Sequence, residues 1–188
     1  MQWGTSSFFP AIAMGSHISA TPNHTTFRTV PIKFRSDVAM SGRLGMEIQP
    51  ANMSEEDKAL CKQAIEDYKK IRPVVQFGDL YRLLSPYDNK GAASLMYVNP
   101  EKDDAVFFWW KTDPSYGQKM PRVRMAGLNP DKLYTVTELN RIDNNPLPFE
   151  GKQFTGKFLM ESGLEIPVSH DVDWHKRMDY SSRVLRLN

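Results

Sequence analysis

Cysteine is nearly absent: Cys61 is the one thiol among 188 residues. A lone cysteine excludes an internal disulfide and cannot build a zinc site by itself. Charge of one sign is also lacking, with 24 Lys+Arg against 22 Asp+Glu and a net charge of +2. Without a dense cationic run there is no electrostatic case for a nucleic-acid partner. No apolar run approaches the ~20 residues that cross a bilayer, so no membrane partner is expected. The start, MQWGTSSFFPAIAM, has no basic n-region, and Pro10 interrupts its most apolar part, so it does not read as a secretory signal. The compartment stays open.

What is present is a globular composition, 40% hydrophobic and 11% aromatic. That is enough for one substantial core or two small ones. A long helix begins at Ser54 in MSEEDKALCKQAIEDYKKIRP, where Ser54 followed by Asp57 resembles a capping box. Leu60, Ala64, Ile65, Tyr68 and Ile71 recur at helical spacing, and Pro73 is expected to stop the helix. Cys61 borders this stripe and reads as a small buried thiol.

Beyond Pro73 the pattern is short strands between turns. DLYRLLS (79–85), ASLMYV (93–98), DAVFFWWKT (104–112), RVRMAGL (122–128), KLYTVTEL (132–139) and SRVLRL (182–187) are separated by segments rich in Pro, Gly, Asn and Asp. Strands at this spacing predict an antiparallel sandwich. TGKFLMESG (155–163) suits a short helix ending in a glycine cap at Gly163. Strand alternation sends Phe107 and Trp109 to one face and Phe108 and Trp110 to the other, so at least one pair is core rather than a sugar-stacking platform.

The first 53 residues read as βα units: a helix broken at Pro10, a short buried strand near Gly15 to Ser19, a helix in PIKFRSDVAMSG ending at Gly42, and a strand in RLGMEI. Two such units cannot close a barrel. This part therefore looks like a piece of something larger, and its apolar stretches are expected to make the chain self-associate. Trimming to about residue 73 is expected to remove this remnant and improve solubility if the sandwich folds alone.

Several ordered blocks carry a resemblance: SHISATPNH, RSDVAMSGRLGMEI, the SEEDK helix, KKIRPVVQFGDLYRLLSP, RVRMAGLNPDKLYTV, GKFLMESGL and DYSSRVLRL. Together they resemble the C-terminal portion of the α-galactosidases of glycoside hydrolase family 36. The resemblance implies a mostly β chain, with a C-terminal antiparallel β-sandwich over residues 73–188. Before it, residues 1–72, including the helix at about 54–72, would be the last βα units of an incomplete (β/α)8 TIM barrel. Members of that family hydrolyse terminal α-galactosides, raffinose-type oligosaccharides among them, with retention, using a nucleophilic carboxylate and an acid/base carboxylate roughly 5 to 5.5 Å apart. No residue here matches either motif, and Asp37, Glu47 and Asp79 lie in blocks that are not catalytic in the family. No catalytic residue and no cofactor are assigned, and the chain alone is expected to be inactive. The implied partners are the rest of the parent barrel, an α-galactoside substrate and other copies of the protein. The alternative reading is a non-catalytic carbohydrate-binding or assembly module.

The histidines of MGSHISATPNH remain. His17 and His24 supply two ligands where a zinc site needs three or four, so no metal is expected. Loops after barrel strands build the active-site face. If GSHIS is a late barrel strand, His17, Asn23 and His24 become candidates for substrate binding, against a structural role in which they hydrogen-bond to backbone. The histidines and aspartates of SHDVDWHKRMDY (169–180) lack metal-loop spacing and read as a solvated loop.

Overall fold

The computed structural model describes residues 2–88, 91–112, 121–142, 146–167 and 180–188. The segment 169–180 expected to be a solvated loop lies outside these residues apart from Tyr180. No described helix is long and apolar enough to cross a membrane.

After a short helix α1 (Gln2–Thr5) and a 3-10 turn at Ala11–Ala13, broken apart at Pro10 as expected, the chain forms β1 (Gly15–Ser19), α2 (Ile32–Met40) and β2 (Arg43–Glu47). β1 and β2 pair in parallel, His17 opposite Gly45 and Ser19 opposite Glu47. A helix between two parallel paired strands is the βαβ unit that the sequence order predicts. Ile18 is fully buried against Ile32 and Ala39 of α2 and against Cys61. Ser16 on the same face donates to the Val38 carbonyl at 3.1 Å.

α3 (Glu55–Phe77) starts where the sequence places it, with the Ser54 hydroxyl accepting from the Asp57 amide at 3.1 Å and Glu55, Glu56 and Asp57 in the first turn. Those carboxylates face the positive end of the helix dipole. The helix does not stop at Pro73, which sits inside it. An interior proline costs about 3 kcal/mol. Burying one valine returns about 1.5–3 kcal/mol, and both Val74 and Val75 are buried, at 5% and 0% exposure. Tertiary packing thus outweighs the local breaker.

The remaining strands, β3 (Asp79–Leu84), β4 (Ala92–Val98), β5 (Ala105–Lys111), β6 (Leu133–Leu139), β7 (Gln153–Thr155) and β8 (Ser181–Leu187), form a six-stranded sheet in the order β3-β4-β5-β8-β6-β7. Every pairing in it is antiparallel, so the described part of the chain is mostly β with the expected antiparallel sheet. Both faces of the sheet are covered. Phe107, Trp109, Met96 and Leu185 lie in one apolar cluster with Val123, Leu128, Phe149 and Leu159. Phe108, Trp110, Leu95 and Tyr97 lie in another with Ala64, Tyr68, Ile71, Val74 and Val75 of α3. Alternation therefore makes core of both aromatic pairs, and neither serves as an exposed sugar platform.

Residues 122–128 form no strand. Val123 makes only an isolated bridge with Leu164, and Met125 donates its amide to the Leu159 carbonyl at 3.0 Å. Val123, Met125 and Leu128 are nevertheless buried. Their apolar pattern marks a segment that covers the sheet rather than one that extends it. α4 (Gly156–Glu161) is capped by Thr155, whose hydroxyl accepts from the Phe158 amide, and is followed by Gly163 at φ 68°, the expected glycine stop.

α3 is as much a part of the sheet's core as of the βαβ unit. Tyr68 on α3 and Tyr97 on β4 donate their hydroxyls to the carbonyls of Gly42 and Ser41, at 2.7 and 2.9 Å. Trimming the chain to residue 73 would strip this face of the sheet of most of α3. Asp37 on α2 forms a second tie. Fully buried, it accepts from Lys33 Nζ at 2.5 Å, Asn140 Nδ2 at 2.7 Å and Ser182 Oγ at 2.7 Å. The Asn140 amide in turn donates to Asp67 of α3 at 2.9 Å.

Candidate functional site

The alternation that buries Ile18 against the helices turns His17 and Ser19 to the opposite face of β1, and the parallel register places Glu47 of β2 on that same face. In a βα barrel, the face away from the helices is the interior. His17 Nδ1 lies 3.3 Å from Glu47 Oε1, both side chains partly open to solvent. Gly45 makes this possible, since any Cβ there would come within 2.4 Å of the His17 ring.

The loop leaving the C-terminal end of β1 carries the other two candidates. Asn23 organises it: its Oδ1 accepts from the amides of Thr25 and Thr26, at 3.0 and 2.9 Å, and its carbonyl accepts from the Phe27 amide at 2.8 Å. These are the backbone bonds that the structural reading of the segment anticipates. His24 is exposed on the same loop. No hydrogen bond or ion pair among the described residues joins His17 to Asn23 or His24.

A cleft of about 630 Å³ opens at the C-terminal ends of β1 and β2, lined by Thr21, Met46, Glu47 and Gln49 and by Arg35 and Asp57 from the helices. Strand ends are where α/β folds place their ligands. Arg35 pins the loop from both sides, donating to the Val30 carbonyl at 3.0 Å and to the Ser19 carbonyl. Burial pushes its guanidinium pKa down, opposed by the nearby Asp57 carboxylate and Cys61. Burial pushes the Cys61 thiol up, opposed by Arg35 and reinforced by Asp57, so Cys61 is the inert buried thiol expected. Sequence reasoning named Glu47 without giving it a role and missed Arg35 and Asp57. Glu47 has a register signal, lying opposite Ser19, whereas Arg35 is an ordinary helix residue until the fold brings it to two loop carbonyls.

Chemically, the cleft offers donors and acceptors suited to hydroxyl groups. Among the described residues no three His, Cys, Asp or Glu side chains gather to hold a metal ion.

Known proteins with the same architecture are glycosidases. Residues 1–78 match the Melibiase family model, and residues 92–187 match the model of the glycosyl hydrolase family 36 C-terminal domain. The chain is 36% identical over its whole length to a probable alpha-galactosidase G of Aspergillus terreus and spans 23% of that relative. It is 39% identical over 184 residues to alpha-galactosidase C of Emericella nidulans, spanning 22% of it. Among solved structures, a variant of the GH36 alpha-galactosidase AgaA of Geobacillus stearothermophilus in complex with raffinose superposes on the whole chain. The TM-score is 0.85 at 30% identity, and the match covers 23% of that protein. With both family models matching in order and the βαβ unit and antiparallel sheet shared with such a structure, this chain belongs to glycosyl hydrolase family 36.

Proposed function

We propose that this chain supplies the end of the catalytic (β/α)8 barrel and the accessory C-terminal domain of a retaining α-galactosidase that hydrolyses terminal α-D-galactosides of the raffinose type. The observation that carries the reading is the parallel β1-α2-β2 unit, with the His17–Glu47 pair on the face away from the helices and the cleft at its strand ends. Support comes also from relatives named alpha-galactosidases, two of whose solved variants hold raffinose and stachyose. In this reading residues 1–72 belong to the barrel and 73–188 to the accessory domain, a division of origin that α3 crosses. His17, Asn23 and His24 face the substrate, His17 through Glu47 and Asn23 by shaping the loop. The nucleophile and acid/base come from earlier barrel strands, so the 188-residue chain alone is inactive. Phe8, Phe9 and Phe77, exposed at 83%, 56% and 67%, are covered by other barrel elements or by another copy.

The test is replacement of the corresponding segment of AgaA by this chain. The chimera is expected to cleave an aryl α-galactoside, the 188-residue chain to show no turnover above a buffer blank. His17→Ala in the chimera is expected to raise KM about two- to tenfold, the loss of one hydrogen-bonding group worth ~0.5–1.5 kcal/mol. Turnover by the chain alone, surviving repurification and abolished by substituting one of its own carboxylates, refutes the reading.

A further inference from the structure

On the far side of the sheet from α3 lies a second recess, of about 480 Å³, between Arg122 and the segment from Pro148 to Pro167. This volume falls in the range of ~300–1,000 Å³ typical of small-molecule sites. Its apolar lining includes buried Phe149 and Leu164. Phe154 of β7 and Phe158 of α4 stack at 5.3 Å between centroids and 15° between planes. Phe158 is 39% exposed, so its ring is presented to solvent rather than consumed by the core.

The charged side chains of the recess are the informative part. The side chains of Lys152 and Glu165 line it and make no hydrogen bond or ion pair among the described residues. Arg122 makes a single long bond, from Nη2 to the Gly163 carbonyl at 3.4 Å. Donors and an acceptor with little or no bonding among the described residues thus stand around an exposed aromatic face. An anion site would gather cations and exclude Glu165, whereas an apolar ligand would make no use of the exposed Arg122, Lys152 and Glu165 at its rim. A hydroxylated ring with an apolar face satisfies all of them: its C–H face lies on the phenyl ring while its hydroxyls both accept from Arg122 or Lys152 and donate to Glu165.

We propose that this recess binds a neutral pyranoside, as a site separate from the cleft at the ends of β1 and β2. The inference goes beyond the barrel-end function and does not depend on it; only the choice of a galactose-containing probe does. The two sites lie on different elements, so one experiment reads both: hydrogen-exchange mass spectrometry of the 188-residue chain with raffinose, and separately with inorganic phosphate. Raffinose is expected to slow exchange in peptides spanning 147–167. Phe158→Ala is expected to weaken the apparent affinity about two- to tenfold, the worth of one aromatic contact, and exposed Lys152→Ala and Arg122→Ala to weaken it while leaving exchange in β5 unchanged. If Phe158→Ala also loosens β5, the two cationic variants carry the test, and unchanged affinity in both overturns the proposal. Protection of 147–167 by phosphate but not raffinose overturns it, as does no protection there. Protection confined to residues 15–57 overturns this site while leaving the barrel-end reading intact.

Discussion

Asp37 is the residue on which the two halves of the molecule meet, and its replacement by alanine is the sharpest test of that view. The carboxylate is fully buried and accepts hydrogen bonds from Lys33, Asn140 and Ser182, on α2, after β6 and on β8. Alanine removes the acceptor for all of them and leaves the Lys33 side chain, only 7% exposed, as an unpaired buried cation. Breaking a buried pair from one side costs about 3–5 kcal/mol, chiefly the penalty of the stranded charge. The orphaned Ser182 hydroxyl and Asn140 amide add cost, but groups in one network do not add independently, so we expect a total of about 4 kcal/mol. With a urea slope of ~2 kcal/mol per molar, this moves the unfolding midpoint down by about 2 M. Fluorescence of the buried Trp109 and Trp110 reports the transition. The double replacement Lys33→Met with Asp37→Leu removes the charge as well as its partner and is expected to recover at least about 2 kcal/mol. A midpoint shift below about 0.5 M for Asp37→Ala, or a double variant no better than the single, refutes the claim that the buried charge holds these elements together.

Trp109→Ala is expected to cost about 3–5 kcal/mol by the same assay, since its side chain is fully buried in the centre of β5; a loss under about 1 kcal/mol would mean the sheet is not packed there. Tyr97 gives a pH dependence: burial pushes its phenol above the ordinary value, opposed by Arg82 and reinforced by a lesser effect of Tyr68. The folded state therefore holds the proton more tightly, so stability is retained below about pH 10, the unfolded value, and falls above it as the unfolded chain ionises first; Tyr97→Phe flattens that alkaline limb, and an unchanged pH profile contradicts the assignment. A chain beginning at Asp79 leaves Leu95, Tyr97, Phe108 and Trp110 without α3 and is expected to aggregate in light-scattering-coupled gel filtration; a monomer with cooperative unfolding would show that the helix is dispensable to the sheet.

Much of the local structure was legible in the sequence because it depends on neighbours along the chain. Ser54 caps α3 through its own first turn, Gly163 ends α4 by adopting a left-handed φ, and the alternation in FFWW assigns its rings to opposite faces whatever lies beyond them. The order strand, helix, strand in residues 15–47 likewise follows from local pattern. It points to a parallel pair because a crossover helix leaves little other choice. His17, Asn23 and His24 become candidates only when this order is joined to the family resemblance, which makes GSHIS a late barrel strand whose following loop lies on the active-site face.

Tertiary structure decided what depends on residues distant in the chain. Pro73 reads locally as a stop, and only the burial of Val74 and Val75 against the sheet carries the helix past it. Residues 122–128 have a strand's alternation but make only an isolated bridge, from Val123 to Leu164 outside the sheet, because alternation reports burial and not a hydrogen-bonded neighbour. Asp37, Asn140 and Ser182 are unremarkable singly, and no spacing links them, yet a carboxylate out of water must be met by donors, and the fold brings those donors from 103 and 145 positions away. The sequence by itself determined where helices and strands begin and which faces are apolar, since those are contests between adjacent residues. Which local rule yields, and which polar groups meet in the dark of the core, is settled by long-range packing, whose free energy no short stretch of sequence contains.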